Sequence, residues 1–493
     1  MMAKKAAAVT APTAAPAAPA TSTPPVPAIP PAAPKTMFSS KWMSARYFSI
    51  AKVVVAICAM AYHYFYFAGK RKIAECPEGF TFTPSQLSRD AFLSQLEVPM
   101  GECFFPADYD EGAARFREAA ADAGASIQSM KVQGLTTDVA ILRSGDKSDK
   151  RVLVHISGTH GPEGYLGSAV QYAALKHLAA TGMYKTRAKL PTIVFVHALN
   201  PFGFKHHRRV NEDNVDLNRN FLTAEEWVEV KALDPNYARQ VDLQHIINPT
   251  SMPSSYHQLN NIYQLVMSGY YISRYGMNTL KTAMVAGNYV NPTGYSYGGT
   301  GYTASARNLM DLLLKKLDLP SKTKKLVLID VHTGLGPTAV DTLLVNGDSL
   351  STVERVFPTE YSGKGIGGKD SGRAIGALKS TFGGNIAASA VSKGYELTKG
   401  PLTASFCNDM VAPTLNASEK LCITQEFGTV SVGTVGMTAI ADNYAWHHGS
   451  DAEREYYSNK LKGVFYVETS GWKRKTVHRG MALLLQAINH LSE

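Results

Sequence analysis

Four short apolar runs, each ending in glycine and polar residues, set the tightest constraint on how this chain can fold. They are 151–157 (RVLVHIS), 192–198 (TIVFVHA), 325–331 (KLVLIDV) and 421–425 (LCITQ). Runs of this length, rich in Val, Ile and Leu on both alternating faces, read as strands buried from both sides. Helical stretches separate or precede them, over 113–123, 167–180 and 305–317. Strands alternating with helices predict an α/β fold with a largely parallel sheet and helices on both of its faces.

In such a sheet, ligands bind beyond the carboxyl ends of the strands, and the unusual residues of this sequence lie there. The first run is followed by Ser157-Gly158-Thr159-His160-Gly161-Pro162-Glu163-Gly164. After the second come Asn200-Pro201-Phe202-Gly203, then His206-His207-Arg208-Arg209 and Asp216-Leu217-Asn218-Arg219. The third continues into His332-Thr333-Gly334, and the fourth into Glu426-Phe427-Gly428. Two imidazoles and a carboxylate, His160, Glu163 and His332, are the donor set of an open zinc site that leaves one position for water or substrate. Glu426, at the end of another strand, is placed to take a proton from activated water. Arg209, Asn218 and Arg219 supply the cations and donors that polarise a carbonyl and grip a substrate carboxylate. Asp330, two residues before His332 on a strand, shares its face and can orient the imidazole.

The ordered set His160-x-x-Glu163, Asp216-Leu217-Asn218-Arg219, His332 and Glu426 resembles the zinc carboxypeptidase superfamily, including its succinylglutamate desuccinylase and aspartoacylase branch. The longer strings SGTHGPEGYLGSA, NPFGF, RRVNEDNVDLNRNF, DVHTGLGP and QEFGT are more similar still to a carboxypeptidase-like family of unknown function. The resemblance implies one catalytic domain over 106–493, a three-layer α/β/α fold around a mixed, mostly parallel eight-stranded sheet. It implies one zinc ion held by His160, Glu163 and His332, with Glu426 as general base and then acid. It also implies that Arg209 polarises the scissile carbonyl while Asn218 and Arg219 bind a terminal carboxylate. Carboxypeptidases place a mobile tyrosine over the substrate; Tyr295, Tyr297 and Tyr302 are the candidates, and spacing does not choose among them.

The net charge of +10 first suggests a polyanion partner, but its distribution excludes one. Residues 1–75 hold nine Lys/Arg and one acid, which leaves only about +2 for the other 418 residues. No nucleic-acid-binding motif accompanies it. Residues 1–36 are Ala/Pro-rich and read as a disordered tail. Within 37–75, the uncharged stretch 53–69 (VVVAICAMAYHYFYFAG) would reach about 26 Å as a helix. It is read as a single-pass membrane span, with an organelle transit segment, mitochondrial for instance, as the competing reading. Residues 76–105 read as a linker.

Five cysteines, none at C-x-x-C spacing, argue against a disulfide scaffold or a cysteine zinc knuckle, and free thiols are favoured over a Cys76–Cys103 pair. The loop 363–372 lacks the Lys-Ser/Thr ending of a phosphate-binding loop. The expected protein is thus a membrane-tethered zinc hydrolase cleaving an amide next to a free carboxylate, on a peptide C-terminus or an N-acyl amino acid. The alternative is a non-catalytic subunit or scaffold of the same fold, with partners in a membrane complex.

Overall fold

Eight strands form one sheet: β1 Ser126–Val132, β2 Leu135–Leu142, β3 Arg151–Ile156, β4 Thr192–His197, β5 Lys325–Thr338, β6 Asp341–Asn346, β7 Ala374–Leu378 and β8 Lys420–Gly428. Their order across the sheet is β1-β2-β4-β3-β5-β8-β6-β7. The four apolar runs are β3, β4, β5 and β8; they lie side by side at the centre and pair in parallel. Toward the edges, β1–β2, β2–β4 and β6–β8 are antiparallel, while β6–β7 is parallel. The computed structural model describes residues 75–93, 97–186, 190–252, 257–346, 350–357, 374–378, 397–410 and 420–493, all within the unit Val55–Glu493.

Side-chain alternation along the central strands divides the core in two. On one face, Leu153, Phe195, Ile329 and Ile423 pack with helices α1 (Tyr109–Asp122), α2 (Gly164–Thr181) and α5 (Ser470–Ser492). On the other, Val154, Val196, Leu328 and Cys422 meet Ala306 and Leu309 of the helix Ala304–Met310, together with Leu402 and Phe406. Helix α2 is buried over most of its circumference, which fits a sequence apolar on all sides. Two further helices, α3 (Val432–His448) and α4 (Asp451–Phe465), follow β8 and are capped by Ser431 and Ser450.

Residues 97–105 do not behave as a free connector. Val98 and Phe104 are buried, and Glu102 makes a two-point ion pair with Arg474 of α5 at 2.7 Å. The expectation of free thiols is also corrected: Cys76 is bonded to Cys103, and Cys407 to Cys422. No helix among the described residues is long and apolar enough to cross a membrane. The longest, α5, carries Lys473, Arg474, Lys475 and Arg479 and packs against the sheet instead. The expectation of a single-pass membrane protein with a membrane-spanning helix and membrane partners is not supported by any of the described residues. Residues 53–69, on which it rested, lie outside the described residues, as do the Ala/Pro tail and the 363–372 loop.

Candidate metal centre

The loop leaving β3 carries His160 and Glu163 on a tight turn that only glycine permits. A Cβ on Gly161 would lie 1.9 Å from the carbonyl carbon of Gly203 and 2.4 Å from the carbonyl oxygen of Arg208. With that approach allowed, the 3-10 turn Gly161–Glu163 leads directly into α2 and turns Glu163 back toward His160. Register in the sheet supplies the other side: His332 of β5 stands opposite Glu426 of β8, and Thr342 of β6 stands opposite Glu426 from the other flank.

These elements bring three sequence-predicted residues together. The potential ligand atoms of His160, Glu163 and His332 lie within 4.8 Å of one another, and all three side chains are buried. Glu163 Oε1 is 2.8 Å from His160 Nδ1, and Oε2 is 2.9 Å from His332 Nδ1. The two Nδ1 atoms are 3.2 Å apart. Each outer ring nitrogen faces its own carboxylate: His160 Nε2 lies 3.0 Å from Asp216 Oδ1, and His332 Nε2 lies 2.7 Å from Asp330 Oδ2. Asp330 in turn accepts from the Thr159 hydroxyl at 2.8 Å, and Glu163 accepts from the Thr333 backbone N–H at 2.9 Å.

This donor set fits a divalent cation. Outer carboxylates favour the N–H on Nε2 of each ring, which leaves the Nδ1 lone pairs aimed inward at the Glu163 carboxylate. Two imidazoles and a carboxylate so converged match zinc's preference for N and O donors with an open position. Without a cation, the cluster resolves this concentration of acceptors by protonation. Although burial opposes it, Asp330 and Glu163 hold His332 well above its ordinary range. Burial likewise opposes ionisation of Glu163, but His160 and His332 hold its carboxyl well below the usual carboxylate range. Asp216 is also held low against burial, by Arg209, Arg219 and His160.

Glu426 is the contrasting member. Its Oε2 is buried with no hydrogen-bond partner. Burial pushes its carboxyl up to about 8; His332 and Arg209 oppose this, while Glu163 and Asp330 add to it. A carboxyl held near neutrality beside a candidate metal cluster has the proton affinity that general acid–base chemistry calls for.

Of the adjacent arginines, Arg209 faces this cluster, 3.1 Å from Asp216 Oδ2. Arg208 turns away: it pairs with Asp442 of α3 at 2.9 Å and stacks on Trp446 with its guanidinium carbon 4.2 Å from the ring centre. Asn218 lies on the turn after Asp216, its amide oxygen taken by the Leu402 backbone N–H at 2.8 Å. Arg219 is buried and donates to the Val285 and Asn218 carbonyls at 2.8 and 2.5 Å. Among the tyrosines, Tyr302 bonds the Leu222 carbonyl, and Tyr297 is buried with its own carbonyl accepting from Asp216 N–H at 2.7 Å. Tyr295 stands with its ring centre 6.0 Å from the Arg209 guanidinium carbon.

Sequence reasoning named Asp330 as an orienting group but gave no such role to Asp216, which orients His160 from 56 residues away. The signal was its place two residues before Asn218, where its side chain also caps the turn by accepting from Asn218 N–H. His207 bonds the Tyr165 hydroxyl at 2.9 Å rather than joining the cluster.

A mixed α/β sheet whose central parallel strands deliver a buried His–Glu–His cluster defines the class: an α/β protein with a candidate metal centre at its strand ends. The chain belongs to the family described as "Protein of unknown function (DUF2817)", which it matches over residues 105–479. No curated protein matches the sequence. Among solved structures, it is similar to a metallo-carboxypeptidase from Burkholderia cenocepacia, at 12% identity and a TM-score of 0.37 over 78% of this chain and 71% of that one. Bovine thrombin-activatable fibrinolysis inhibitor, solved with tick carboxypeptidase inhibitor, gives 11% identity and a TM-score of 0.40, covering 78% and 97%. Carboxypeptidase A from Helicoverpa armigera gives 12% identity and a TM-score of 0.35, covering 72% of each chain.

Proposed function

We propose that the body formed by residues 106–493 is a zinc-dependent hydrolase that cleaves an amide bond next to a free carboxylate, on a peptide C-terminus or an N-acyl amino acid. One observation carries the reading: the inward-facing donor atoms of His160, Glu163 and His332 converge beside Glu426, a buried carboxyl oxygen with no hydrogen bond of its own. A zinc ion held by those three residues would supply Lewis acidity and would lower the pKa of water at the site toward neutrality.

The chain's own residues then divide the remaining work. Glu426 accepts a proton from the attacking water and returns it to the leaving nitrogen, so one carboxyl serves as base and then acid. Arg209 donates to the carbonyl oxygen as negative charge builds on it. Asn218 and Arg219 hold the substrate carboxylate; with the Asn218 oxygen engaged by Leu402, its NH2 is the group left to donate. Asp216 and Asp330 fix the two rings. Tyr295, beside Arg209, is the tyrosine placed to close over a bound substrate. Burial of the whole cluster suits a chain end or small molecule rather than the middle of a polypeptide.

Replacing Glu426 by Gln tests this. Zinc should remain stoichiometric by metal analysis while turnover of a panel of N-acyl amino acids and peptides falls by about 10²–10⁴. Near-full activity in that variant would overturn the role of Glu426. A wild-type protein that binds no zinc and cleaves nothing in the panel would favour a non-catalytic subunit.

A further inference from the structure

The segment beneath the carboxylate-binding pair is fastened to the strand that carries Glu426. Cys422, Thr424 and Glu426 alternate along β8 and so face the same layer. Opposite them runs 399–410, whose backbone lies directly against the Asn218-Arg219 turn. Gly400 comes so close that a Cβ there would sit 2.6 Å from the Arg219 carbonyl oxygen, and its φ of +65° is one that glycine adopts freely. Its carbonyl accepts from Phe221 N–H at 3.3 Å. Two residues on, the Leu402 N–H takes the amide oxygen of Asn218.

Three ties join this segment to β8. The Thr403 and Thr424 hydroxyls are 2.9 Å apart. Lys420 Nζ donates to the Cys407 carbonyl at 3.0 Å. The third is covalent, the Cys407–Cys422 disulfide, with both cysteines buried against Leu402 and Phe406. Three residues of β8 thus separate a covalent anchor for the Asn218 support from the carboxyl proposed to move the proton.

We propose that the Cys407–Cys422 disulfide is a positioning element for the carboxylate site. By stapling 402–410 to β8, it keeps the Leu402 N–H on the Asn218 amide oxygen, so the amide presents its NH2 to the substrate. An amide free to flip presents oxygen instead, and an oxygen repels a carboxylate. The inference rests on the reading of Asn218 and Arg219 as carboxylate binders. It makes discrimination between a free acid and its amide dependent on the oxidation state of one bond, and such bonds persist in oxidising compartments. The other disulfide, Cys76–Cys103, lies outside this set of contacts and serves as the control.

The test is calorimetric binding of N-acetyl amino acids and their matching amides to the full-length, zinc-loaded protein, which needs no turnover. The native protein should carry no free thiol at 407 or 422, shown by alkylation and mass spectrometry, and should bind the acids at least about 10-fold tighter than the amides. Cys407→Ser/Cys422→Ser should lose most of that preference and keep its zinc, whereas Cys76→Ser/Cys103→Ser should keep both. If the first double variant fails to fold, reversible reduction of the Cys76→Ser/Cys103→Ser protein gives the same readout, with recovery on reoxidation.

Free thiols in the native protein, an unchanged preference after the bond is broken, or no preference to begin with would each overturn the proposal. Loss of zinc together with the preference would overturn it too, by showing that the bond holds the fold at large. Hydrolysis by the native protein is scored separately. A hydrolase with an undisturbed preference refutes only the disulfide's role, and a protein without turnover that still shows the redox-dependent preference refutes only the hydrolase reading.

Discussion

Gln425 and Glu426 are neighbours on one strand, yet they face opposite layers and meet opposite electrostatic surroundings. On the Gln425 side, its amide nitrogen donates to Asp341 at 2.8 Å, and Arg479 of α5 pairs with the same carboxylate at 2.9 Å. Opposite charges meet there, and the carboxylate oxygens of Asp341 each hold a donor. On the Glu426 side, three carboxylates crowd two imidazoles, the inner ring nitrogens are 3.2 Å apart, and Glu426 Oε2 has no donor at all. Both sides are buried, so burial alone does not mark a functional cluster. What separates them is closure of charge: Asp341 and Arg479 neutralise each other and Gln425 Oε1, though buried without a hydrogen-bond partner, is neutral, while a buried cluster of carboxylates short of donors is shaped for something it does not itself contain.

The largest effect should come from opening the closed side. Asp341→Ala removes the carboxylate paired with the buried Arg479 at 2.9 Å, which costs about 3–5 kcal/mol of stability. Denaturant unfolding should show that loss while zinc binding to the folded fraction stays stoichiometric. Replacing the pair together, as Asp341→Leu/Arg479→Met, should recover most of the stability, since a buried ion pair exchanged for apolar groups is often near neutral. Zinc loss in the single variant at temperatures where it remains folded would erase the distinction between the two sides.

A smaller effect is expected from the open side's supporting carboxylates. Asp330 spends one oxygen on His332 Nε2 at 2.7 Å and the other on the Thr159 hydroxyl. Asp330→Asn keeps the shape but removes the charge that fixes the ring's proton on Nε2. Zinc affinity should fall by about 10–100-fold, read by competition with a chelator; the metal-free protein also loses the carboxylate that supports the buried, protonated His332 and should melt below wild type. An affinity within about 3-fold of wild type would mean that strand geometry alone orients the ring.

How far these sides could be read from sequence follows from the range of the forces that build them. β3, β4, β5 and β8 were legible because a strand buried on both faces must be apolar throughout. The edge strand β1 alternates exposed and buried residues, and β6 opens with Asp341 and Thr342, so neither shows a continuous apolar run. His160 and Glu163 lie three residues apart and Asp330 sits two before His332, spacings at which local geometry fixes a shared face. Asp216 and Thr342 reach the cluster only through tertiary register, which no local period encodes. Arg208 and Arg209 are equally basic neighbours in sequence, and what separates them lies far along the chain: Asp442 and Trp446 draw Arg208 aside. The cysteines misled because Cys407, in the helical turn Phe406–Met410, and Cys422, on β8, are brought together by tertiary packing rather than by a recognisable spacing.

A third test sharpens the comparison through pH. In the metal-free protein, burial raises the Glu426 carboxyl from an ordinary 4.5 to about 8. The folded form therefore holds a proton that the unfolded form releases, so this group's contribution is fully present below about pH 4.5, declines across the interval, and is lost above about pH 8. Glu426→Gln cannot ionise and escapes that decline. Denaturant midpoints should show the metal-free variant gaining on wild type as pH rises from 5 to 8, with the gap level beyond. Zinc should shrink the gap, because a nearby cation favours the carboxylate. Gln425→Leu, on the closed side, has no ionisable group to lose and should differ from wild type by an amount that stays constant with pH. A constant gap for Glu426→Gln as well would mean that its carboxyl is solvated in the folded protein, and the open side would lose the feature that most distinguishes it.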